Sequence, residues 1–190
     1  MIDRYEIRLS GEGGQGLVLA GKILAEAAAL YDGKNATQSQ SYGPEARGGA
    51  SRSDVIISEG EIDYPKAVNL DILLALTQES VDKYLKDLKQ GGTLVVDADA
   101  VHTPPEGSFR LVKAPVVRIA REQVGKLIVA NMVALGVIVG ITGVVTPEAA
   151  ENALTTRVPK GPQEINPSAF RLRLQEAGRT RHSPQTHIPP

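Results

Sequence analysis

Ser10-Gly11-Glu12-Gly13-Gly14-Gln15-Gly16 stands between a strand-like run, Tyr5 to Leu9, and a helix-like run, Leu17 to Tyr31. Strand, glycine turn, helix is the opening unit of a mononucleotide-type α/β domain, and the first N–H groups of such a helix can face an anion. Gly11, Gly13 and Gly16 keep the GxGxxG spacing. A dinucleotide site also needs an acidic residue about 20 residues further on, closing the next strand and holding a ribose hydroxyl. The corresponding stretch, Asn35 to Tyr42, has no Asp or Glu. That omission argues against an ordinary NAD site and leaves three roles for the glycines: close packing of helix on strand, another phosphate, or a partner chain.

Working outward, Tyr5, Ile7 and Leu9 alternate with Arg4, Glu6 and Arg8, a period of two that predicts a strand with one face wetter than the other. Leu17, Ala20, Leu24, Ala27, Ala28 and Tyr31 recur at helical spacing, and Asp32-Gly33 supplies the stop. Gly33 to Arg52 has little apolar periodicity, which predicts a long loop rich in glycine, hydroxyl and charged residues. Within it Pro44 restrains the backbone, Gly43, Gly48 and Gly49 permit close approach, and Arg47 and Arg52 can pair with carboxylate or phosphate. A solvated surface loop is the plainer alternative.

Short apolar runs then predict strands at Val55-Ile56-Ile57, Ile72 to Leu76, Leu94 to Val96 and, within Leu111 to Ile119, Val116-Val117. A helix is expected through Val81, Tyr84, Leu85 and Leu88, with Gly91-Gly92 ending it. Asp97 and Asp99 close a strand beside His102, a thin set for a metal and a better fit to a solvated turn. Arg121 opens a long helix, apolar all round, in which Asn131 is the one strongly polar residue between Leu127 and Ile141. Such a helix is buried on every side, and in a small domain part of it is expected to press on a partner chain. About 15 residues fall short of a membrane span. Thr146-Pro147-Glu148 starts another helix, and Asn166-Pro167 repeats the pattern for a last one carrying Phe170, Leu174 and Ala177. One α/β domain over residues 1–178 and a mobile tail over 179–190 are therefore expected.

Charge and composition restrict the chemistry. The 190 residues carry 21 basic and 22 acidic side chains, a net charge of -1, so no nucleic-acid footprint is visible. No cysteine is present, which excludes a cysteine-ligated iron–sulfur cluster, a disulfide framework and a thiol nucleophile in this chain. The first residues lack the apolar core of a secretory signal, so a cytoplasmic location is expected.

Taken in order, Gly11-Glu12-Gly13-Gly14-Gln15-Gly16, Ala20-Gly21, Ser41-Tyr42-Gly43-Pro44-Glu45-Ala46-Arg47-Gly48-Gly49, Asp71 before an apolar strand, and Asn131-Met132-Val133-Ala134-Leu135-Gly136 resemble the gamma subunit of 2-oxoacid:ferredoxin oxidoreductases. The likeness runs through residues 5 to 155, and the SYGPEARGG form is most similar to the 2-oxoglutarate branch. It implies a single Rossmann-like domain with a mostly parallel sheet flanked by helices. It also implies a non-catalytic chain of a complex that decarboxylates a 2-oxoacid oxidatively to its acyl-CoA and reduces ferredoxin. Thiamine diphosphate, Mg and the iron–sulfur clusters would lie on partner subunits, alpha and beta, with delta as a further candidate, and with no nucleic acid or membrane involved. Carried over onto this sequence, Gly11, Gly13, Gly14, Gln15, Gly16 and Arg47 are candidates for holding a phosphate of CoA. Ser41, Tyr42, Gly43, Pro44, Glu45, Arg47, Gly48, Gly49 and Asn131 are candidates for the interface or active-site loop. A stand-alone nucleotide- or CoA-binding module, catalytic or regulatory, is the alternative.

Overall fold

In a computed structural model that describes residues 3–41, 50–122, 129–157, 167–171 and 185–187, the glycine turn joins the central strand to the first helix. Strand β1 spans Tyr5–Glu12 and helix α1 spans Leu17–Glu26, continued by one π-helical turn, Ala27–Tyr31. Gly33, at φ 64, turns the chain into β2 (Asn35–Ser41), and β3 (Ala50–Ser58) runs back beside it. There follow β4 (Leu70–Ala75), α2 (Gln78–Tyr84), β5 (Leu88–Asp97), β6 (Arg110–Ala114), α3 (Val116–Glu122), α4 (Ala130–Thr142), α5 (Pro147–Arg157) and β7 (Gln185–His187).

The sheet order is β2-β3-β1-β4-β5-β6-β7. β3 pairs antiparallel with β1 and β2, and every other pairing is parallel. The expected α/β class with a mostly parallel sheet is what forms. One face of the sheet packs Ile7, Leu9, Val55, Ile57, Ile72 and Leu74 against α1, α3, α4 and α5 in a single apolar core. The opposite face carries a smaller core, Ile56, Leu70, Leu73, Leu94 and Val96, under Val81 and Tyr84 of α2.

Five local expectations give way to the three-dimensional context. The loop expected over Gly33 to Arg52 contains strand β2 and the start of β3. Asn35–Ser41 is polar apart from Ala36, which packs against the main core, because this outermost strand is held chiefly by its backbone ladder to β3. The second helix ends at Tyr84, a short 3₁₀ turn follows at Leu85–Asp87, and Leu88 to Gly92 already belong to β5, with Gly91 at φ 74. Val116-Val117 opens α3 rather than extending a strand, because Val116, Ile119 and Ala120 meet the core at helical spacing. Helix α4 is buried along Ala130–Ile141 by this chain itself, so the expected pressure on a partner is not needed to hide it. In the expected tail, Gln185–His187 pairs in parallel with Leu111, Val112 and Lys113, giving the exposed edge of β6 a partner ladder.

β1 departs from its alternating pattern in a more consequential way. Glu6 and Arg8 are 4% and 1% exposed, so the face expected to be wet is buried too. Arg8 donates from Nε to Asp54 Oδ1 at 2.7 Å, from Nη2 to Asp54 Oδ2 at 3.0 Å and to the Ala67 carbonyl at 3.1 Å, and from Nη1 to Asp87. Its guanidinium lies 5.0 Å from the centre of the Tyr84 ring. Burial opposes this charge, but the hydrogen bonds and charges of Asp54 and Asp87 outweigh it and hold Arg8 above its ordinary pKa. Glu6 is satisfied by the backbone N–H groups of Val68 and Asn69 and by Arg4. No helix among the described residues is long and apolar enough to cross a membrane.

Candidate functional site

The carboxyl ends of β1, β2, β4, β5 and β6 share one edge of the sheet, where open α/β sheets gather their ligands. Gly11 and Glu12 are the last residues of β1 and stand opposite Ser51 and Ala50. Ser41, the last residue of β2, stands opposite Arg52. The two residues that flank the second glycine-dense segment, Ser41 and Ala50, therefore lie at the same edge as the glycine turn. Tyr42, Gly43, Pro44, Glu45, Arg47, Gly48 and Gly49 lie outside the described residues.

The turn has a defined internal geometry. Gln15 N–H donates to the Glu12 carbonyl at 3.2 Å, and Gln15 Oε1 accepts from Glu12 N–H at 2.8 Å. Gln15, a candidate ligand-binding residue, thus spends its carbonyl oxygen closing the turn. Gly13 and Gly14 are exposed at its tip, Gly14 at φ 96, and open space surrounds both where a side chain would be. Gly16 caps α1 in the left-handed region, φ 74 and ψ 15, and no side chain caps the helix. The first N–H groups of α1 accordingly open toward the turn.

Asn131 connects this turn to the buried helix α4. It is 4% exposed, and its Nδ2 donates to the Gly16 carbonyl at 3.3 Å. A Cβ on Gly16 would stand 2.5 Å from that nitrogen, so glycine is required here by space as well as by φ. Oδ1 of Asn131 has no hydrogen-bond partner among the described residues.

A hydroxyl chain stiffens the same edge. Ser10 Oγ donates to the Ser51 carbonyl at 3.0 Å and bonds Ser80 Oγ at 2.9 Å, and Ser80 meets the capping Thr77 Oγ1 at 2.9 Å. Ser51 Oγ donates to the Gly11 carbonyl at 3.3 Å. Asp97 at the end of β5 is fully buried rather than solvated. Its Oδ1 accepts from the N–H groups of Asp99 and Ala100, and its Oδ2 accepts from Val117 N–H at 2.9 Å, so it organises the following turn and the start of α3. Asp99 pairs with Arg118 at 3.2 Å. No group of three or more metal-ligating side chains is found among the described residues. Sequence pattern does not single out Arg8 and Ser10 of β1 or Ser80 of α2, because isolated polar residues look solvated until the neighbouring elements are placed.

The chain belongs to the pyruvate ferredoxin/flavodoxin oxidoreductase family, whose family model matches its residues 6–176. Within that family the chain is 53% identical over 169 residues to the 2-oxoglutarate synthase subunit KorC of Methanocaldococcus jannaschii, covering 88% of this chain and 90% of that protein. A crystal structure of the gamma subunit of a keto/oxoacid ferredoxin oxidoreductase from Geobacter sulfurreducens PCA is similar with a TM-score of 0.85 and 55% identity, over 92% of this chain and 96% of that one. The fold also recurs in a 2-oxoglutarate:ferredoxin oxidoreductase from Magnetococcus marinus, solved with 2-oxoglutarate, coenzyme A and succinyl-CoA bound, at a TM-score of 0.83 and 21% identity, over 95% of this chain and 32% of that one. The resemblance seen in the sequence motifs is thus borne out at the level of the family.

Proposed function

We infer that this chain is the gamma-type subunit of a multi-subunit 2-oxoglutarate:ferredoxin oxidoreductase. The complex cleaves the bond between the carboxyl and keto carbons of the 2-oxoacid, releases CO2, transfers the succinyl group to CoA and passes the electron pair to ferredoxin. The 53% identity to a 2-oxoglutarate synthase subunit carries this proposal and its substrate. With no cysteine there is no thiolate for a cluster, so the iron–sulfur clusters are assigned to alpha- and beta-type partners, and the family resemblance assigns thiamine diphosphate and Mg to them as well.

The role proposed for this chain is to shape the CoA region. The side-chain-free cap at Gly16 and the exposed tip at Gly13 and Gly14 fit the close approach of a phosphate to backbone N–H groups. Arg47, in the segment flanked by Ser41 and Ala50, would supply the paired cation. The chain's contribution is to bind and orient CoA, while acyl transfer takes place on the partners. Arg47→Ala is expected to raise the KM for CoA in the assembled enzyme with assembly and the KM for 2-oxoglutarate unchanged. An unchanged CoA dependence in a normally assembled complex contradicts the CoA role. Purification of the chain from its source under gentle conditions is expected to bring down larger subunits with brown cluster absorbance, and a chain that purifies alone contradicts the subunit role.

A further inference from the structure

On the face of the sheet away from α1 and α4, a groove of about 590 Å³ opens between strands β1, β3 and β2 and the loop of residues 59–69. That loop is pinned. Val68 and Asn69 donate their N–H groups to Glu6 Oε2 at 2.6 and 2.8 Å, Arg4 donates to the Lys66 carbonyl at 3.0 Å, and Arg8 to the Ala67 carbonyl at 3.1 Å. Arg4, just before β1, and Glu6 and Arg8 within it thus hold a surface loop in place, and that loop nevertheless presents Tyr64 at 51% and Val68 at 60% exposure. A pre-ordered loop that shows apolar side chains loses little entropy when something covers them.

The charges lining the groove are unbalanced. Both carboxylates there, Asp54 and Asp87, are engaged by the buried Arg8. Arg52 shares Asp54 with Arg8, pairing with it at 3.8 Å, and Lys66 forms no ion pair among the described residues. Along the lining Arg8, Arg52 and Lys66 therefore meet only the two carboxylates Asp54 and Asp87, which leaves one positive charge in surplus at the opening, and an arginine fork matches a carboxylate. We propose that this groove is a docking surface for another polypeptide of the oxidoreductase, one whose carboxylate side chain enters between Arg52 and Lys66 while a neighbouring apolar side chain covers Tyr64 and Val68. A free small carboxylate would satisfy the cations but leave the apolar rim in water, which favours a polypeptide. The proposal rests on the subunit function above and goes beyond it by assigning the surface.

The test uses the full chain co-expressed with the other subunits of the complex, comparing wild type with Lys66→Glu/Val68→Asp at two exposed positions. The variant is expected to melt like wild type alone, while its affinity for the remaining subunits falls roughly tenfold or more. Wild-type affinity of a folded variant overturns the docking surface and leaves the subunit function standing. A wild-type chain that never co-elutes with those subunits overturns both. A wild-type dimer that the variant abolishes assigns the groove to a second copy of this chain, and a Lys66-dependent rise in Tm with citrate assigns it to a small anion. Either result overturns the proposal. Should the double variant melt early, Lys66→Ala decides: weaker assembly with a shallower salt dependence supports the surface, and unchanged assembly overturns it.

Discussion

Replacing Gly16 with alanine strikes the glycine turn where it is most constrained. At φ 74 and ψ 15 an L-residue is disfavoured by about 1–2 kcal/mol. The new Cβ would lie 2.5 Å from Asn131 Nδ2 and 2.9 Å from its Cγ, and Asn131 is a buried residue of α4. The amide must turn and give up its hydrogen bond to the Gly16 carbonyl, a further ~1 kcal/mol. The total, about 2–3 kcal/mol, lowers the melting temperature of a chain of this size by roughly 4–12 °C. Thermal unfolding followed by circular dichroism measures it, with Asn131→Ala and the double variant completing a cycle. The double variant is expected to recover about 1 kcal/mol relative to the sum of the singles, because removing the amide relieves the clash and leaves only the backbone strain. A Gly16→Ala protein that melts within about 1 °C of wild type, or singles that add without coupling, would refute this account of the turn.

Arg8→Met leaves Asp54 buried without its bidentate partner and is expected to cost about 3–5 kcal/mol in urea unfolding, much of which Arg8→Met/Asp54→Leu restores. Thr146→Ala removes the oxygen that accepts from Ala149 N–H at 3.2 Å and donates to Asp32 at 2.7 Å, and a loss of about 1–2 kcal/mol is expected in the same assay. The hydrogen bond from Arg171 holds the Glu151 carboxyl below its ordinary pKa, against the opposing effect of burial. A lowered carboxylate pKa stabilises at pH values above the unfolded value and loses that effect as pH falls through the folded value. The small Tm difference between wild type and Glu151→Gln should therefore persist at neutral pH and close in the acid range, and a difference that widens on acidification contradicts it.

The parts of the fold that announce themselves in the sequence are those whose local pattern and tertiary role agree. Leu17 to Tyr31, Thr146-Pro147-Glu148 and Ile72 to Leu76 are of this kind, since their apolar spacing or capping residues need no knowledge of the rest of the chain. Strand β2 was hidden because an outermost strand draws on its neighbour's backbone, leaving Asn35–Ser41 free to be polar. Val116-Val117 looked like a strand because β-branched residues suit one, yet its burial follows the period of α3. The glycine turn and Asn131 were both visible, but their contact joins residues 115 positions apart and required the packing of α4 on α1. Arg8 was invisible for a similar reason. Its partner Asp54 comes from an antiparallel neighbour, and only that register turns a charged strand residue into a buried anchor.

The function proposed above makes this chain one part of an oxidoreductase whose redox groups are assigned to other subunits. Reconstituting the complex with and without it, and following 2-oxoglutarate- and CoA-dependent ferredoxin reduction, addresses that claim directly. The expected result is no turnover by the isolated chain and strongly reduced turnover by the partners lacking it, restored when it is added back. Full CoA-dependent turnover by the partners alone, or turnover by this chain alone, would contradict it.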